Sequence, residues 1–210
     1  MDCSNVSINA HSSIRVSGSA VLWFDPFHVT DEPHDADVIL VTHEHFDHLS
    51  PEDIARVARD DTRFVVPRGM EGQVTALGVA ASQVVGLAPG ESAQVCGVAV
   101  EAVPAYNVGK QFHPRERGWV GYVATLDGVR YYVAGDTDNL PENRSLACDV
   151  ALVPVGGTYT MTAPEAAAFV NALAPTVAIP THYGDVAGSP EDGRGFASLV
   201  DAGIQVEVLI

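Results

Sequence analysis

Residues 38–48 read Val-Ile-Leu-Val-Thr-His-Glu-His-Phe-Asp-His, placing His43, His45, Asp47 and His48 within six positions behind four apolar residues. Imidazole and carboxylate donors together suit zinc, iron or manganese. The apolar run reads as a strand buried on both faces. A helix should follow at once, with Ser50 as its N-cap, Pro51 in its first position and Asp53 three residues past the cap. The cluster therefore falls on a loop between a strand end and a helix start, where function concentrates. In extended chain, residues two apart point the same way. His43 and His45 can then reach one ion, while Asp47 and His48, beyond the turn, aim at a second.

Two further strands end in donor residues. Tyr131–Ala134 runs into Gly135-Asp136, and the glycine permits a tight turn that pushes Asp136 out at the sheet edge. Asp138, two residues on, competes for that role or supports it from behind. Val177–Ile179 leads through Pro180-Thr181 to His182 and Tyr183. Tyr183 either donates a hydrogen bond to a substrate or packs. Lys110, Arg115 and Arg117 put three of the eleven basic residues within eight positions, partly offset by Glu116. Lys110 and Arg115 are candidate contacts for an anionic group, arginine being suited to phosphate or carboxylate; a solvated loop is the bland alternative.

Around these residues the chain alternates short apolar runs with turn signals. Expected strands are Ile14–Val16, Ala20–Phe24, Val38–Val41, Phe64–Val66, Ala93–Val95, Val98–Val103, Trp119–Leu126, Val129–Ala134, Val150–Val155, Val177–Ile179 and Val206–Ile210. Asp127-Gly128 looks like a two-residue hairpin turn. Expected helices are Pro51–Arg59, Gly69–Leu77, Pro164–Leu173 and Gly195–Asp201. This order suggests a two-sheet core with helices outside, an α+β or layered α/β architecture.

Composition narrows the function classes. The 210 residues carry 27 acidic and 11 basic groups, a formal net charge of −16, with 47% hydrophobic residues. The apolar runs exclude bulk disorder. Nucleic acid and anionic membranes need a basic surface that this chain lacks. Cys3, Cys96 and Cys148 form no C-x-x-C pair and imply no disulfide framework. The N-terminus has neither a basic nor an apolar signal region, and no apolar run approaches the roughly 20 residues of a spanning helix, so a cytoplasmic location is expected.

His43-x-His45-x-Asp47-His48 resembles the signature of the metallo-β-lactamase superfamily, and Asp136 and His182 follow in that family's order. The resemblance implies a four-layer αββα sandwich, one domain over residues 1–210, and two divalent ions at one sheet edge, zinc first and manganese or iron next. It implies His43, His45, Asp47, His48, Asp136 and His182 as metal ligands, Asp136 bridging, with Asp47 and His182 closest to the chemistry. One landmark departs. Most members supply another histidine before the Gly-Asp motif, whereas this chain has Tyr106-Asn107, and the nearest histidine is His113. Either His113 replaces it from a longer loop or fewer groups hold the first ion; Asn107 is the other candidate metal or substrate contact at this point. The resemblance is closest to the branch with ascorbate-6-phosphate lactonase, in which a histidine matching His11 lies near the site and an aspartate matching Asp25 supports the metal loop. The same branch puts the Gly156-Gly157 loop nearby. His28 and His34 are expected to face solvent.

The activity these features imply is hydrolysis, by a metal-activated hydroxide, of an ester, lactone or phosphoester on a small anionic molecule. The alternative is a non-hydrolytic metal protein on the same fold, a di-iron redox centre or a ligand sensor. A homo-oligomer is compatible with the family, but no sequence feature marks an interface.

Overall fold

Alternation along the strands builds the layers. In the computed structural model, which describes residues 1–210, β4 (Ala36–Leu40) sends Val38 and Leu40 to one side and Ala36 and Ile39 to the other, all fully buried. β11 (Val150–Pro154) divides in the same way, Val150 and Leu152 against Ala151 and Val153. Both strands are thus interior to the whole molecule, as continuous apolar runs require.

Thirteen strands form two sheets. The first has six, in sequence order: β1 (Val6–Ala10), β2 (Ser13–Ser17), β3 (Val21–Phe24), β4, β5 (Ala58–Pro67) and β6 (Val84–Leu87). The second has seven, in reverse sequence order: β13 (Gln205–Val206), β12 (Val177–Thr181), β11, β10 (Val129–Val133), β9 (Val120–Leu126), β8 (Val98–Pro104) and β7 (Ser92–Val95). Neighbours from β3 to β6 and from β10 to β13 run parallel, and the remaining pairs are antiparallel hairpins.

Three apolar layers hold the sandwich together. One, with Leu22, Leu40, Tyr122 and Ile179, lies between the sheets. A second packs α1 (Pro51–Val57) and α2 (Glu71–Thr75) on the first sheet through Ile54, Val57 and Val74. A third packs α3 (Ala163–Leu173) and α4 (Asp192–Ala197) on the second sheet through Phe169, Val170 and Phe196. The result is the expected helix–sheet–sheet–helix order.

Several boundaries differ from the sequence reading. α1 stops at Val57 because Ala58 already pairs with Ala36 in the sheet, so Arg59 lies on β5. β1 and β6 were not expected: β1 exposes alternate polar residues at a sheet edge, and β6 contains Gly86 and is only half-buried. α2 is shorter than its expected span, α4 starts three residues before the expected Gly195 and ends at Ala197, and β13 is only Gln205–Val206, so it meets the expected Val206–Ile210 strand at one residue. No helix is long and apolar enough to cross a membrane.

Candidate metal centre

The strand ends deliver the donors to one edge of the sandwich, at the carboxyl ends of parallel strands, where α/β sheets place their sites. β3 ends before Asp25, β4 before Thr42 and His43, β10 before Asp136, and β12 before His182. His11 comes from the turn between β1 and β2, and its carbonyl accepts a hydrogen bond from the His182 amide at 2.9 Å, tying the two sheets together at the site. His11, Asp25 and His182 all adopt left-handed backbone, φ 53°, 45° and 58°. Such conformations are uncommon for residues with side chains and cluster at functional sites. Gly135 is needed as glycine: at its φ of 65° a Cβ would lie 3.1 Å from Thr42 Cβ and from the Val120 carbonyl.

Six of the eight histidines converge here with Asp47 and Asp136. Their donor atoms fall into three triads, His43–His45–His113, His11–Asp47–His182 and His43–His48–Asp136, the first and last sharing His43, each with all its atoms within 4.8 Å of one another. Asp136 is the hub. Its carboxylate lies 3.0 Å from His182 Nε2, 3.1 Å from His113 Nε2, 3.4 Å from His48 Nε2 and 4.0 Å from His43 Nε2. Asp47 Oδ2 lies 3.3 Å from His11 Nε2, 3.5 Å from His48 Nε2 and 3.7 Å from His182 Nε2. His45 Nδ1 is 3.0 Å from His43 Nε2. All eight side chains except His45 are buried.

Hydrogen bonds outside the cluster fix three of the rings. Thr42 Oγ1 donates to Asp25 at 2.7 Å, so it accepts from His43 Nδ1 at 3.0 Å. His48 Nδ1 donates to Asp25 at 2.7 Å. His113 Nδ1 donates to Asn107 Oδ1 at 3.1 Å; that oxygen also accepts the His113 amide at 3.0 Å, while Asn107 Nδ2 donates to the Tyr159 carbonyl at 2.9 Å. With a proton held on Nδ1, each ring turns Nε2 to the centre of the cluster, and an Nε2 without its proton is the atom by which histidine ligates a metal.

Whether a cation fits is tested by the atoms left over. Both ring nitrogens of His11 and His182, Nε2 of His48 and His113, and Oδ1 of Asp136 are buried without a hydrogen-bond partner. Natural interiors tolerate few such atoms. A tetrahedral zinc with nitrogens at about 2.0–2.1 Å sets its ligand atoms roughly 3.3 Å apart, close to the separations around Asp136. The donor set and spacing therefore fit divalent cations.

The local charges follow from this crowding. Burial alone would raise the Asp136 carboxyl, but His182 and His48 beside it hold it well below the carboxylate range. Burial would likewise raise Asp47, and His11 and His48 pull it down. Burial would lower His48, and Asp136 and Asp25 hold it well above the usual imidazole value. Burial depresses His43 and His45. Both carboxylates are thus poised as anions at neutral pH.

His113 stands where the sequence lacked a histidine, and Asn107 sits behind it with its amide committed to His113 and Tyr159. Four other residues lie outside both the donor cluster and the cavity lining. Tyr183 is buried in the helix-covered layer and donates to the Ile210 carbonyl at 3.2 Å. Lys110 Nζ donates to Asp138 Oδ1 and to the Thr160 carbonyl, both at 2.6 Å. Arg115 lies over the Tyr106 ring, 5.1 Å from its centroid. Asp138 is held by Lys110 and the Val108 amide and is outside the donor cluster. Gly156 does approach the site, since a Cβ there would lie 2.2 Å from the His182 carbonyl. His28 and His34 are exposed, as expected. Sequence reasoning passed over Thr42, whose only signal was its place before His43, and the wall residues Phe46, Phe112, Tyr159 and Val186. These four, with His45, Asp47, His113, Asp136 and His182, line a cavity of about 250 Å³.

Residues 4–183 match the Beta-lactamase superfamily domain. The chain belongs to the metallo-β-lactamase superfamily. Within it, the chain is 32% identical to the UPF0173 metal-dependent hydrolase of Thermococcus kodakarensis, over 98% of this chain and 95% of that protein. The corresponding protein of Pyrococcus furiosus is also 32% identical, over 97% and 95%. A crystal structure described as a metal-dependent hydrolase from Parabacteroides distasonis superposes with a TM-score of 0.80 at 31% identity, covering 97% of this chain and 91% of that one. CmlA, a diiron β-hydroxylase from Streptomyces venezuelae, shares the superfamily fold with a TM-score of 0.73 at 18% identity, covering 93% of this chain and 47% of that one.

Proposed function

We propose that this protein is a hydrolase of small esters or lactones that works with two divalent cations, zinc first among them. The observation that carries this reading is the set of inward-facing, unpartnered donor atoms opening onto a cavity. His43, His45 and His113 would hold one cation. Asp47, His48 and His182, with His11 beside them, would hold the other, and Asp136 reaches both groups. Bound there, the cations supply Lewis acidity, bringing the pKa of a water toward neutrality and offsetting charge that develops on the substrate oxygen.

The chain's own residues supply position and proton transfer. Asp47 lies on the cavity wall with Oδ2 beside His11, oriented to accept a proton from the attacking water. The water oxygen bonds to the acyl carbon, the ester C–O bond breaks, and Asp47 returns the proton to the leaving oxygen. The hydrogen bonds that hold His43, His48 and His113 keep this geometry fixed before substrate arrives. Metal content and turnover should be measured together on His45→Ala and Asp136→Ala. Both variants are expected to lose metal and at least about a hundredfold in kcat/KM. Undiminished turnover by metal-depleted protein refutes the reading, and stoichiometric iron with visible absorption and no ester or lactone turnover transfers the site to redox chemistry.

A further inference from the structure

The cavity walls carry information that the metal ligands do not. Of the nine lining residues, five belong to the donor cluster, and the other four are Phe46, Phe112, Tyr159 and Val186. No lysine or arginine lines the cavity. The three cations nearest in sequence already have partners: Lys110 has Asp138 and the Thr160 carbonyl, Arg115 lies over Tyr106, and Arg117 pairs with Glu44 at 3.2 Å and lies over Trp119, outside the cavity lining. Phe46 is 68% exposed and Phe112 43%. Water contact over rings of this size forgoes roughly 1.5–3 kcal/mol each, and apolar surface gathered at a cavity mouth marks a binding site. The rings are also braced. Phe46 meets Phe27 edge-on at 6.0 Å between centroids, and Phe112 meets Tyr159 edge-on at 4.8 Å.

We infer that Phe46, Phe112, Tyr159 and Val186 form the specificity pocket for an uncharged apolar substituent, so that the substrate is a neutral alkyl or aryl ester or lactone and not a phosphorylated one. This rests on the hydrolytic reading of the same site. The cavity volume of about 250 Å³ lies just below the roughly 300–1,000 Å³ of most ligand pockets, so the substituent is a short chain or a single ring. An anionic tail lodged among these four side chains would meet aromatic and aliphatic surface and no lining cation. Hydrolysis of a γ-lactone here adds water across the ring ester to give the open hydroxy acid, one proton passing to the ring oxygen and one released as the acid ionises.

The test uses γ-lactones with side chains of one to six carbons, the same lactones ending in a phosphate, and the matching γ-lactams, which lack the scissile ester. Metal-loaded protein is assayed for lactone turnover, and lactam affinity is measured by ligand-observed NMR on loaded and metal-free protein. Each added methylene is expected to raise both kcat/KM and lactam affinity about fourfold until the cavity fills. The phosphate-ended members should fall at least about tenfold below their neutral counterparts. Phe46→Ser and Val186→Ser lie on separate loops, and Phe46 is mostly exposed, so a folding defect in one cannot imitate the other. Each should flatten the gradient to below about twofold per methylene. A flat series, an equal gradient in both variants, or preference for the phosphate overturns the inference. Graded lactam binding without any lactone turnover leaves the pocket standing and sinks the hydrolytic reading; turnover without a gradient does the reverse.

Discussion

Replacing Asn107 with leucine should separate a positioning role from a ligand role at the position where the family histidine is absent. The side chain is buried and makes three hydrogen bonds, accepting from the His113 amide and Nδ1 and donating to the Tyr159 carbonyl. Leucine keeps the volume and removes all three. At about 0.5–1.5 kcal/mol net for each bond, the folded state should lose about 2–4 kcal/mol. Freed from Asn107 Oδ1, the His113 ring can rotate or change tautomer, and its Nε2 no longer faces Asp136. Loss of such an outer partner costs metal proteins about 10–100-fold in affinity, which is about 1.4–2.7 kcal/mol. Asn107→Asp keeps the acceptor for both His113 groups and loses only the donor to Tyr159, so its affinity should stay within about threefold of the parent. Metal affinity by chelator competition and stability by urea unfolding give the two quantities separately. If the leucine variant binds metal as tightly as the parent, Asn107 does not hold His113. If the aspartate variant falls as far as leucine, the Tyr159 contact is what matters.

Asp25→Asn tests the other buried support: Asp25 accepts from the Thr42 amide, Thr42 Oγ1 and His48 Nδ1, and the amide would set donor against donor. A loss of about 3–5 kcal/mol is expected from urea unfolding of metal-free protein, and a loss under about 1 kcal/mol would contradict the assigned network. At α3, the Glu165 carboxyl is held below its usual 4.5 by the Thr162 backbone amide and, after that, its side chain. A depressed folded value stabilises the protein above the unfolded pKa and is lost as pH falls through the lower folded one. The stability difference between the parent and Glu165→Ala, about 0.5–1 kcal/mol near pH 7, should therefore shrink steadily below about pH 4.5; a difference that stays constant down to pH 3 would exclude the linkage.

The legible part of the site is the part built within one segment. His43, His45, Asp47 and His48 are close in sequence, and the buried strand before them and the capped helix after them fix where they emerge. Asp136 and His182 were legible for the same reason, each ending a strand that alternates between two apolar layers. The order of layers followed from those strands too. His113 was harder, because it reaches the cluster from an irregular loop whose path depends on Asn107 holding its own neighbour. Tyr183 follows a histidine at φ 58°, and that left-handed turn breaks the strand alternation and sends the ring into the helix-covered layer. The apolar walls arise from four loops distant in sequence and have no periodicity to read.

The basic loop shows how composition should weigh on a motif. With 27 carboxylates for 11 cations, internal pairing is the common outcome for a basic side chain, and seven of the eleven reach a carboxylate. Arg15, Arg56, Arg59, Arg68 and Arg130 all pair with aspartate or glutamate. Lys110 and Arg117 follow the same rule, their partners Asp138 and Glu44 lying 28 and 73 residues away in sequence, which no local window contains. In so acidic a chain, three close cations are evidence for an anion clamp only if no carboxylate reaches them first. Here carboxylates take two of the three, and an aromatic ring holds Arg115.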